Sequence, residues 1–137
     1  ALEAGTPPIA AAVAWAAATS ELEEAGLAAI ATHTSRLVER ARRGLAALPG
    51  VAVLGSGMPG PFTSLASFTV AGLHPHDVSQ ALDDAGVMVR AGHHCAQPLH
   101  RALGVRASLR ASFAGYSTEE DVDALVDALS RALENAR

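Results

Sequence analysis

At 137 residues the chain is of single-domain size, and its formal net charge of −4 lacks the clustered positive face that a phosphate backbone requires, which excludes nucleic acid as a partner. No apolar run reaches the roughly 18 residues that span a bilayer; the Ala-rich stretch 9–18 comes closest and ends in Thr19-Ser20-Glu21. Membrane insertion is therefore not expected, and a lone cysteine, unable to form an internal disulfide, fits a reducing, cytoplasmic setting.

The first residues, Leu2-Glu3-Ala4-Gly5-Thr6-Pro7-Pro8, read as a mid-chain turn, and with no initiating methionine the chain reads as a piece of something longer. After Pro7-Pro8 the Ala-rich segment to about Glu24 contains no breaker and is predicted helical, ending at Gly26. From Leu27 the apolar residues Leu27, Ile30, Ala31, Leu37, Val38, Ala41, Leu45 and Leu48 recur three or four apart, with Thr34 in step, which predicts an amphipathic helix stopped by Pro49-Gly50. The arginines 36, 40, 42 and 43 fall opposite that stripe and are expected to form a solvated face.

Two strands follow, at 51–54 and 64–70, separated by a Gly- and Pro-rich loop at 55–61. Pro75 opens a helix ending near Ala85, with Gly86 as its stop. A strand at 87–89 runs into a loop containing the cysteine, a short helix is expected at 98–103, and a further strand at 107–113. Ser117-Thr118-Glu119-Glu120 has the pattern of a capping box with Ser117 as N-cap and Glu120 three residues on, ahead of a last helix with Val122, Leu125, Val126, Leu129 and Leu133 on one face. The expected fold class is α+β, one domain over residues 1–137, with helices packed on a small, mostly antiparallel sheet.

Chemistry concentrates at Arg90-Ala91-Gly92-His93-His94-Cys95-Ala96-Gln97-Pro98. A thiol is nucleophilic as its thiolate, and cationic or proton-accepting neighbours favour that form; the alternative is a buried cysteine acting as a small apolar side chain. His93, His94 and Cys95 are zinc-competent, but three contiguous residues converge poorly on one tetrahedral ion, and no second ligand pair accompanies them, so no metal is expected. His94 can also be read as the base of a Cys-His hydrolase or transferase, although sequence neighbours seldom form such dyads. Arg110, in the strand-like Ala107-Ser108-Leu109-Arg110-Ala111-Ser112, calls for a carboxylate. That partner is either an Asp or Glu of the last helix or the carboxylate of a substrate held in the guanidinium fork.

The nine residues around Cys95, followed by Arg110-Ala111-Ser112-Phe113 and Tyr116-Ser117-Thr118-Glu119-Glu120-Asp121-Val122-Asp123, resemble the C-terminal small domain of SufS-type cysteine desulfurases, within the class V aminotransferases of fold-type I. The likeness extends to Glu3-Ala4-Gly5-Thr6-Pro7 and His74-Pro75-His76-Asp77-Val78, and so covers essentially the whole chain. That family uses pyridoxal 5'-phosphate to convert L-cysteine to L-alanine, leaving the sulfur as an enzyme persulfide for iron-sulfur cluster assembly; selenocysteine lyases are near relatives. The resemblance implies that Cys95 carries the persulfide, that Arg110 binds the substrate carboxylate with Arg90 organising the same side of the pocket, and that His93 and His94 shape the loop and favour the thiolate. It further implies that Thr6 reaches the cofactor phosphate of the neighbouring subunit in a homodimer, and that His76 meets a sulfur-acceptor protein of the Suf system. All ten basic Lys/Arg residues are arginines. The family's Schiff-base lysine is therefore missing, together with the large domain that carries it, so the chain is expected to be inactive alone. A non-catalytic persulfide carrier or interaction module is the alternative from a different class.

Overall fold

The computed structural model describes residues 5–57 and 64–136; the motif residues before Gly5 and the part of the expected loop at 58–61 lie outside them. Nine elements follow in chain order: α1 (Ile9–Ala25), α2 (Leu27–Ala47), β1 (Val51–Val53), β2 (Leu65–Val70), α3 (Pro75–Asp84), β3 (Arg90–Gly92), α4 (Gln97–Ala102), β4 (Ser108–Ser112) and α5 (Glu119–Asn135). The strands form one antiparallel sheet in the order β1-β2-β4-β3. The α+β class expected from the sequence holds.

Alternation along the strands separates two faces. Ala66, Phe68 and Val70 of β2 and Leu109 and Ala111 of β4 are buried against α2, α3 and α5, where Leu37, Val38, Leu45, Val78, Leu82, Val122, Leu125 and Leu129 complete the core. Ser67 and Arg110 pair in register on the opposite face, which those three helices leave open. Arg90 of β3, the register partner of Arg110, lies on that face too.

Gly26, at φ 83°, separates α1 from α2 in a conformation that suits a residue without a side chain. The predicted stripe of α2 is buried only from Thr34 onward, and Leu27 stays 62 % exposed. No residue of α1 is buried, and Trp15 is 78 % exposed. Its helix rests on alanine propensity rather than on core packing. No helix among the described residues is long and apolar enough to cross a membrane.

Three local expectations are corrected. The strand placed at 87–89 lies instead at Arg90–Gly92, because Val87 and Val89 pack against the core while the ladder to β4 begins at the Arg90↔Arg110 pair. The cap of α5 is Thr118 rather than Ser117. Thr118 Oγ1 accepts from the Asp121 N–H at 3.2 Å and Asp121 Oδ2 accepts from the Thr118 N–H at 2.8 Å, whereas Ser117 Oγ is already accepting from the Ala114 N–H at 3.0 Å. Finally, the arginines of α2 are not all solvated. Arg40 forks onto Asp123, Nε to Oδ1 and an Nη to Oδ2 both at 2.8 Å, and lies 3.2 Å from Glu119, while Arg42 donates to the Leu54 carbonyl at 3.1 Å.

Candidate active site

Between β3 and α4 the chain makes a four-residue turn, 93–96, closed by the Ala96 N–H donating to the His93 carbonyl at 2.8 Å. Its two central residues are His94 at φ 53° and Cys95 at φ 60°. Left-handed backbone at both central positions is normally filled by Asn-Gly, and a residue with a Cβ pays about 1–2 kcal/mol to adopt it. Gly92, at φ 125°, lets β3 swing into the turn. The result places Cys95 on an exposed turn with a free thiol. The buried-cysteine alternative is thereby set aside.

What holds the strained turn is the His94 ring. Its Nε2 lies 3.1 Å from the Ser108 carbonyl and 3.2 Å from Ser108 Oγ, pinning the turn to the first residue of β4. Burial is the main cause that pushes the His94 ring below the ordinary histidine value of 6.5, partly opposed by the bond to Ser108 and reinforced by the charges of Arg110 and Arg90. His94 is therefore neutral at neutral pH. It acts on the turn as a polar, proton-accepting group and not as a cation, so its expected help to the thiolate cannot come from a positive charge.

Arg90 and Arg110 stand directly opposite one another in the β3–β4 ladder, so their side chains leave the same face of the sheet, with Ser67 of β2 continuing the row. Like charges so placed repel each other unless an anion comes between them. Among the described residues no carboxylate forms an ion pair with either arginine, and Arg110 Nε is buried without a hydrogen-bond partner. Of the two partners expected for Arg110, the carboxylate of the last helix is not used; that role is taken by Arg40. An unpaired, half-buried guanidinium fork beside a second one is suited to a carboxylate from outside the chain.

The remaining candidates lie elsewhere. His93 lines a groove of about 660 Å³ together with His74 and Arg106, and that groove includes neither Cys95 nor Arg110. His76 is exposed near the start of α3, its backbone N–H donating to His74 Nδ1 at 3.3 Å, and Thr6 is exposed in the segment ahead of α1. Among the described residues no group of three or more His, Cys, Asp or Glu side chains is arranged to hold a metal ion. Two residues escaped the sequence reading: Ser108, 1 % exposed, and His100, 5 % exposed, whose Nε2 lies 2.9 Å from Ser108 Oγ. The one available signal was a histidine on a short helix immediately after the cysteine turn.

The profile of the class-V aminotransferases matches residues 1–125. A probable cysteine desulfurase of Mycobacterium leprae is 46% identical over 132 residues, which is 96% of this chain and 32% of that protein. The crystal structure of the cysteine desulfurase CsdA from Escherichia coli, in its S-sulfonic acid form, superposes with a TM-score of 0.88 at 41% identity, covering 98% of this chain and 33% of that one. C-DES with glycine covalently linked to its PLP cofactor superposes with a TM-score of 0.56 at 26% identity, over 71% of this chain and 22% of that one. The chain spans about a third of the length of the relatives it matches. The chain therefore belongs to the class-V aminotransferase family, and the relatives it resembles at 41–46% identity are cysteine desulfurases.

Proposed function

We propose that this chain is the sulfur-accepting domain of a PLP-dependent, SufS-type cysteine desulfurase, which converts L-cysteine to L-alanine and retains the sulfur as a persulfide on Cys95. The observation that carries the reading is the exposed thiol of Cys95 on a strained turn, fastened through His94 to the strand that presents Arg110 with its buried Nε unpaired. The overall change balances as one sulfur atom passing from L-cysteine to the Cys95 thiol, with L-alanine released.

Cofactor dependence is inferred from the family and from the PLP-linked glycine of C-DES. With no lysine, this chain does not fit the cofactor as a covalent holder, and the Schiff-base amine belongs to the part of the enzyme outside it. The chain's own contribution is narrower. Arg110, with Arg90 beside it, binds and orients the substrate carboxylate, Cys95 accepts sulfur, and His94 sets the turn that presents the thiol. Thr6 at the cofactor phosphate of a homodimer partner, His93 on the substrate side, His76 toward a Suf-type acceptor, iron-sulfur assembly as the destination and a cytoplasmic location complete the proposal on the strength of the resemblance. The domain is inactive alone.

Steady-state turnover of L-cysteine by the complete PLP-loaded enzyme tests this. Arg110→Ala is expected to abolish measurable turnover or to raise KM by about a hundredfold or more, as for loss of a charged, two-point carboxylate contact. Turnover indifferent to Arg110→Ala, with persulfide still reaching Cys95, would instead make the chain a passive sulfur carrier.

A further inference from the structure

A buried polar chain runs behind the cysteine turn: the Ala96 carbonyl, His100, Ser108 and His94. Its bond directions follow from the end that is fixed. A carbonyl only accepts, so His100 Nδ1, 3.0 Å from the Ala96 oxygen, carries the hydrogen. In the neutral ring His100 Nε2 then holds a lone pair, and Ser108 Oγ, 2.9 Å away, donates its single hydrogen to it. Ser108 Oγ has only lone pairs left for His94 Nε2, and the Ser108 carbonyl meets that same nitrogen. Two acceptors converge on one nitrogen, which must bear the hydrogen. The other nitrogen, His94 Nδ1, is left as an acceptor, and it is buried without a partner.

His94 Nδ1 and Arg110 Nε are the two buried side-chain polar atoms that find no partner among the described residues, one an acceptor and the other a donor. Arg110 and His94 lie close enough for the charge of one to bear on the other. Leaving such groups unmatched is unfavourable, so a pair of opposite character points to a ligand offering both an acceptor and a donor. An α-amino acid does so: its carboxylate suits the guanidinium, and its amine or thiol hydrogen needs an acceptor that two arginines cannot supply.

We propose that His100 and Ser108 are positioning residues that hold His94 as its Nε2–H tautomer, so that Nδ1 accepts a hydrogen from the amino-acid substrate bound beside Cys95. The identity of that substrate rests on the desulfurase reading; the tautomer does not. The packing of His100 alone would not require this polarity, and His100→Leu preserves bulk while removing it. With His100 gone, the Ser108 hydroxyl is freed to donate to His94 Nε2 in competition with the Ser108 carbonyl, which accepts from it, so the ring is held less firmly in one form.

The test is ¹⁵N NMR of histidine-labelled full chain. In the wild type His94 is expected to show a protonated Nε2 and an unprotonated Nδ1. In His100→Leu its two nitrogen resonances should move toward each other as both tautomers become populated, and Ser108→Thr, which keeps the hydroxyl, should retain the wild-type pattern. A protonated Nδ1 in the wild type, which needs no variant to be read, overturns the proposal, as do unchanged His94 resonances in folded His100→Leu. In the complete enzyme, kcat/KM for L-cysteine should fall in His100→Leu and survive in Ser108→Thr; undiminished activity in a folded His100→Leu enzyme overturns the positioning role. A wild-type enzyme that does not turn over L-cysteine, yet shows the stated tautomer, retires the substrate and leaves the relay standing.

Discussion

His94 does two jobs that are in tension, tying a strained turn to β4 and keeping one nitrogen unbonded. Because burial depresses its titration, the folded protein takes up a proton at this ring less readily than the unfolded chain does. The sign follows directly. Stability from the neutral ring is fully present above the ordinary value of 6.5 and is lost as the pH falls below it toward the folded titration point. The guanidiniums that bear on the ring, Arg110 from β4 and Arg90 from β3, act in the same direction as burial, and the bond to Ser108 opposes them. Denaturant unfolding between pH 7.5 and about 5 is therefore expected to show a steeper loss of stability in the wild type than in His94→Gln. Equal slopes in the two proteins would mean that the ring is not held neutral. At this scale the sequence was partly legible. Cys95, Arg110 and His94 stood out by residue type and spacing, whereas His100 and Ser108 did not, because a hydroxyl and an imidazole acquire meaning only when β4 and α4 bring them within 2.9 Å.

Among the elements, α2 and α5 approach closely at one point. A Cβ added to Gly44 would lie 2.7 Å from Cγ2 of Val126, a branched side chain with few rotamers to escape into. Gly44→Ala ordinarily favours a helix by somewhat under 1 kcal/mol. Here overpacking opposes that gain, and a net destabilisation of about 1–2 kcal/mol is expected in thermal or denaturant melts. An unchanged or higher midpoint would show that the helices can part without penalty. Periodicity made these helices readable in advance, since α2 and α5 each bury one stripe. The same logic misplaced β3. Val87 and Val89 have the strand-favouring side chains, but Arg90–Gly92 has the partner strand, and in a sheet pairing decides over propensity. The cap of α5 slipped by one residue for a comparable reason. Both Ser117 and Thr118 have an acid three positions on, and only the turn that occupies Ser117 distinguishes them.

For the whole molecule, the division of labour lies between the two faces of one sheet. Helices cover one face and make the core; the other carries a row of guanidiniums and the cysteine turn, which places reactive groups where a ligand can reach them without breaching the core. Half of the residues are apolar and only five are aromatic, which fits a core built from Leu, Val and Ala with Phe68 at its centre. The fold class was legible from that pattern, but the open face was not, because which side of a sheet remains uncovered depends on how distant helices dock. On this proposal the sulfur acceptor is Cys95, exposed on its turn. The most direct measurement is mass spectrometry of the complete PLP-loaded enzyme after brief incubation with L-cysteine and trapping by an alkylating agent. The peptide containing Cys95 is expected to gain the mass of one sulfur atom, and the gain should vanish in Cys95→Ser. Alanine formed at the wild-type rate by Cys95→Ser, or extra sulfur found only on another residue, would contradict the account.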